Sequence, residues 1–154
     1  MRERLGLTSA ILPNAPTKKH WVPIWAQIRL PQIIVDEWLD GDILAFETLF
    51  GETTGTTDKV MFWLGSKVGP TAVLKRANSY HARVCDAGTL DSTAGPGWAR
   101  LHFQDAEVFA NPSWRVLQIL GMRTMFSYLN RRLDDIHGVE TGPRNFEMNL
   151  AWKG

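Results

Sequence analysis

The sharpest pattern of apolar and polar positions lies at the C-terminal end of the chain. In "NFEMNLAWK", Phe146, Met148, Leu150 and Trp152 fall on one side, with Glu147, Asn149 and Lys153 on the other. That period of two predicts a strand with one buried face. Upstream, "NPSWRVLQILGMRTMFSYLNRRLDDIHG" switches to steps of three and four. Val116, Ile119, Met122, Phe126, Leu129 and Leu133 make an apolar stripe that Leu117, Leu120 and Met125 widen. This predicts a long helix with Asn111 as its cap, Pro112 in its first turn and Gly138 as its stop. Gly121 sits inside it at a cost of about 1 kcal/mol against alanine, which predicts close packing at that point.

Before the helix, "SYHARVC" and "WARLHFQ" read as strands of an antiparallel hairpin. "DAGTLDSTAGPG" between them reads as a long loop of glycine, proline and small polar residues. The N-terminal half is helical in pattern. Pro31 occupies a first-turn position ahead of Ile34, Trp38 and Leu39, and Gly41 interrupts. Asp42 caps a second stretch with Ile43, Phe46, Leu49 and Phe50, which Gly51 ends. "GETTGTT" is a loop, Asp58 caps "KVMFWLGSKVG", and Pro70 opens a short helix, "PTAVLKRA", ended by Asn78. Residues 1–20 carry prolines and a local basic excess, and read as an extended arm. The expectation is an α+β fold with a largely antiparallel sheet, helices packed on one face and an extended N-terminal arm. In domain terms this gives an arm over 1–20 and a single domain over 21–154.

Composition narrows the function classes. Seventeen basic residues against sixteen acidic ones leave a net charge of +1, so no global field favours nucleic acid or an anionic membrane. A single cysteine cannot close an internal disulfide, which points to a reducing compartment, and the expected location is cytoplasmic. No apolar window approaches the length of a membrane span. The "GETTGTT" loop lacks the Gly-Lys-Ser/Thr ending of a phosphate-binding loop, which argues against nucleotide binding.

Candidate chemistry is sparse. On a strand, His81 and Cys85 lie roughly 13 Å apart, too far for the imidazole to activate the thiol. His20, His81, His102 and His137 show no metal-ligand spacing, so no metal, cofactor or catalytic residue is assigned. An enzyme using His81, His102 and Asp105 requires the three to converge. The tryptophan load is high, at seven, and "HWVPIW" sits where regular-structure signals are poor. Leu5, Leu7, Ile11, Leu12, Trp21 and Trp25 are therefore the candidates for a protein contact or self-association. A small apolar ligand would fit between the long helix and the sheet, with Gly121, Tyr80 and Trp114 as pocket candidates.

From Val60 onward, "VGPTAVLKRANSYHARVCDAG", "ARLHFQD", a long helix and a closing strand ending in "AWKG" form an ordered series. The series resembles a paralogous domain family known mainly from myxobacteria, on Gly69, Pro70, Asn78 to Tyr80 and Trp152. The resemblance spans residues 60–154 and implies an α+β fold loosely similar to small-ligand sensor domains, with no assigned catalytic residues. The expected function is a non-enzymatic binding module for a protein partner or small apolar ligand. The alternative is a structural subunit of a homo-oligomer fastened by its arm.

Overall fold

A computed structural model describes residues 23–52, 65 and 67–153. The arm over 1–20 lies outside them, and so do Leu5, Leu7, Ile11, Leu12, Trp21 and Asp58. The chain divides into two compact units, Met1–Leu49 and Phe50–Gly154.

In the first unit, helix α1 spans Ile24–Ile33 and begins directly after Pro23, with Pro31 inside it rather than at its start. A proline there has no N–H for the helical ladder. The turn that follows is widened to π geometry over Ile34–Trp38, with Leu39 N–H donating to the Ile34 carbonyl at 3.1 Å. Gly41 takes φ +81°, as its interrupting role requires. Helix α2, Ile43–Glu52, starts as expected: Asp42 Oδ1 accepts from the N–H groups of Leu44 at 2.9 Å and Ala45 at 3.0 Å. Gly51 does not stop it but lies within it.

The second unit is an α+β arrangement around one sheet. Residues 67–74 are helical, followed by α3, Ala77–Val84. Strands β1, Thr89–Gly95, and β2, Trp98–Gln104, come next. A short 3-10 turn leads into α4, Pro112–Tyr128, and strands β3, Leu133–Gly142, and β4, Asn145–Trp152, finish the unit. The four strands run in the order β1-β2-β4-β3, every neighbouring pair antiparallel.

Two expectations fail here for related reasons. "SYHARVC" is helix, not strand: Ala77–Val84 contains neither glycine nor proline, and Arg83 complements the dipole in its last turn. The supposed loop "DAGTLDSTAGPG" supplies strand β1 instead. Its inward positions are Leu90, Ser92 and Ala94, and with a polar and a small residue after the one leucine they do not register as a hydrophobic pattern. The true turn is only Pro96–Gly97, with Gly97 at φ +80°, as a type II turn demands.

Helix α4 starts as the pattern predicts, with Asn111 Oδ1 accepting from Ser113 N–H at 2.9 Å and Trp114 N–H at 3.2 Å. It ends ten residues before Gly138. Asn130 turns left-handed at φ +51°, and Arg131 N–H reaches back to the Phe126 carbonyl at 3.1 Å. Leu133 therefore belongs to β3, and Gly138 lies in mid-strand.

The helices of this unit pack on one face of the sheet. Phe103, Phe146, Met148 and Trp152 from the strands are at most 6% exposed, as are Trp114 and Phe126 from α4. Trp114 meets Phe103 edge-on with ring centroids 4.9 Å apart, and Phe126 meets Trp152 at 5.2 Å. Each such side chain contributes roughly 2–3 kcal/mol by burial, with up to about 1.5 more from ring geometry.

Candidate functional site

Alternation decides what the sheet shows on its other side. Since Ala99, Leu101 and Phe103 face the helices, Trp98, Arg100, His102 and Gln104 must face away. The register then sets rows across the sheet. His102 lies between Asp91 on β1 and Glu147 on β4, and Arg100 lies between Thr93 and Asn149. His137 on β3 continues the second row beyond Asn149, and Val139 continues the first beyond Glu147. Cross-strand neighbours on one face have Cβ atoms about 5 Å apart, so these side chains form one contiguous polar surface.

Several of them are tied together. Glu147 Oε1 lies 3.6 Å from Arg100 Nε and accepts from Asn149 Nδ2 at 2.9 Å. Gln104 Nε2 lies 2.6 Å from His102 Nδ1, and Thr141 Oγ1 lies 3.4 Å from His102 Nε2. An amide nitrogen only donates, so this arrangement puts the neutral ring's proton on Nε2, facing the Thr141 oxygen. Both ring nitrogens of His102 thus meet neutral groups, not a carboxylate that would prepare the ring for acid–base work. His137 Nδ1 pairs with Asp135 Oδ2 at 3.2 Å on the same face. Asp91, Asp135 and Glu147 stand against Arg100 and, just beyond the end of β4, Lys153, so the face carries a small excess of carboxylates. Trp98 stands at one end, 46% exposed. Its indole covers Gly95, where a Cβ would lie 2.5 Å from the indole nitrogen.

The sequence-derived candidates are scattered. His81 is on α3 and packs into the helix-covered side, 5.9 Å from the Phe103 ring and 6.2 Å from the Phe109 ring. His102 follows Leu101 and precedes Phe103 on β2, and so points to the opposite side of the sheet. Asp105 is exposed just beyond β2 at φ +69°, its carbonyl accepting from Arg144 Nη2 at 2.6 Å. The sheet separates the members of the proposed triad, and they do not converge. The spacing argument about Cys85 is also corrected. On a helix, His81 and Cys85 are one turn apart, and both side chains reach the Ala87 carbonyl, from Nε2 at 3.2 Å and from Sγ at 3.8 Å. Each already has that backbone oxygen as a partner.

The pocket candidates lie in unlike surroundings. Trp114 is 4% exposed inside the aromatic core, while Tyr80 is 59% exposed on α3. A Cβ on Gly121 would meet nothing within 4 Å, so close packing is not the reason for that glycine. Close packing is found instead at glycines such as Gly138, where a Cβ would lie 2.4 Å from ring carbons of Phe146. Trp25, on α1, is 44% exposed. Among the described residues no group of three or more His, Cys, Asp or Glu is placed to hold a metal ion. No described helix is long and apolar enough to cross a membrane.

Sequence reasoning missed Asp91, Arg100, Glu147 and Trp98 as a group. Their alternation within "WARLHFQ" and "NFEMNLAWK" was legible, but which strands are neighbours was not. No family model, curated protein or solved structure matches the chain.

Proposed function

We propose that the protein is a non-enzymatic binding module that docks a protein partner on the uncovered face of its sheet. One observation carries this reading: a four-stranded sheet with helices on one side presents charged and amide side chains from all its strands on the other. The surface is broad, and His102 at its centre is held by the neutral Gln104 and Thr141 side chains, which suits recognition better than proton transfer. Its acidic excess calls for a partner with a basic, hydrogen-bonding surface. The exposed Trp98 supplies the aromatic anchor typical of binding hot spots. A small apolar ligand is the weaker option, because Trp114 is packed into the aromatic core while Tyr80 is exposed on α3. The single cysteine favours a cytoplasmic setting.

The test is to isolate partners on the full chain, then compare Trp98→Ala and Asp91→Lys with the parent by calorimetry. Both side chains are exposed, so the fold should survive both changes. Each substitution is expected to weaken binding about tenfold or more. Hydrogen exchange in the complex should protect β2 and β4. Unchanged affinity in both variants refutes the open face as the docking surface.

A further inference from the structure

The sheet has two edges, and they are built differently. Strand β3 carries Asp134, Asp135 and Glu140, and its register slips twice, between Leu133 and Asp135 and between Glu140 and Gly142. Charges and irregularities of this kind keep an edge from pairing with another strand. Strand β1 has neither protection. Its register against β2 is unbroken from Thr89 to Gly95, and its one charge is Asp91.

The direction of its free backbone groups follows from the ladder. Trp152 N–H donates to the Gly97 carbonyl at 2.9 Å, which makes Gly97 and Trp152 a bonded pair. Alternation then gives the odd-numbered residues of β2 to β4 and the even-numbered ones to β1. The partners of those even residues are Thr89, Asp91, Thr93 and Gly95. Leu90, Ser92 and Ala94 therefore turn their N–H and C=O groups outward, away from the sheet.

We infer that β1 is a dimerisation edge, pairing antiparallel with β1 of a second copy about a two-fold axis at Ser92. Only outward residues can bond to outward residues, and centring on Ser92 gives the full overlap of both strands. Ser92 then faces Ser92 of the other copy, and Leu90 faces Ala94 at each end, large against small on the helix side. On the open side Asp91 faces Thr93, so each carboxylate meets a hydroxyl and no like charges oppose. The product is a continuous sheet of twice the width, with both polar faces on one side. The inference does not rest on the open face being a docking surface.

Sedimentation velocity of the full chain, from low to high micromolar concentration, tests it. The parent should dimerise. Thr93→Asp sets a carboxylate against Asp91 of the other copy at both ends of the pairing, and should weaken the dimer about tenfold. Adding Asp91→Lys turns each clash into an attraction and should restore the dimer. Ser92→Pro removes an outward N–H that the monomer does not use and should abolish pairing. If that variant loses its far-UV circular dichroism, the exposed charge pair decides. A parent that stays monomeric overturns the inference, and so does a dimer indifferent to Thr93→Asp or one that Asp91→Lys fails to rescue. Partner binding retained by a monomeric variant would leave the docking reading standing while separating it from dimerisation.

Discussion

Replacing glycine by alanine at two positions of the second unit should move stability in opposite directions. At Gly138 the new methyl would lie 2.4 Å from two ring carbons of Phe146. That ring is 2% exposed and cannot withdraw freely. Phe103 stacks 6.1 Å away, Trp114 stands edge-on at 6.0 Å, and the Arg115 guanidinium lies 5.4 Å over the ring. Overpacking of this kind costs about 1–3 kcal/mol. Alanine returns about 0.4–1 kcal/mol by narrowing the unfolded ensemble, so the net loss is about 1–2 kcal/mol. For a chain of this length that lowers Tm by roughly 2–8 °C. At Gly121 nothing lies within 4 Å of the added Cβ, and α4 gains alanine's helix propensity, about 1 kcal/mol. Tm should rise by roughly 2–4 °C. Urea titration followed by tryptophan fluorescence measures both, with an unchanged slope required for the comparison. A Gly138→Ala midpoint at or above that of the parent, or a Gly121→Ala midpoint below it, refutes the packing argument.

Other substitutions probe how α4 is fixed. Asn111→Ala removes the cap on the Ser113 and Trp114 amides and should cost about 1 kcal/mol, while Asn111→Asp should keep the parent's denaturation midpoint. Arg115 bonds the Phe109 carbonyl through Nε at 2.7 Å and Glu140 through Nη1 at 3.1 Å. Arg115→Met keeps the stem over Phe146 and should lose about 1–2 kcal/mol in the same titration. Glu140→Gln should lose less than about 1 kcal/mol, because that carboxylate is 59% exposed and water screens the pair. Equal losses in these last two variants would mean that the ion pair, not the carbonyl contact, holds the helix.

The features legible along the chain were local and periodic. The alternation of "NFEMNLAWK" marks β4 because its apolar positions are large and uninterrupted, and all four prove buried. Asn111 and Asp42 announce helix starts because a cap acts within three residues, a range the sequence displays directly. The α+β class followed from such segments.

Partner-dependent choices were not legible. "TLDSTAG" has no strong strand pattern of its own and becomes β1 through its ladder with β2, while "NSYHARV" stays helical because no neighbouring strand claims it. The period of α4 runs on to Leu133, yet Asn130 ends the helix by a backbone turn that hydrophobicity does not record. Most of all, strand order is a long-range fact. It puts Gly138 under Phe146, His102 between Asp91 and Glu147, and His81 on the far side of the sheet from His102. Spacing along the chain fixes which face a side chain takes, but only the tertiary pairing of strands decides what stands beside it.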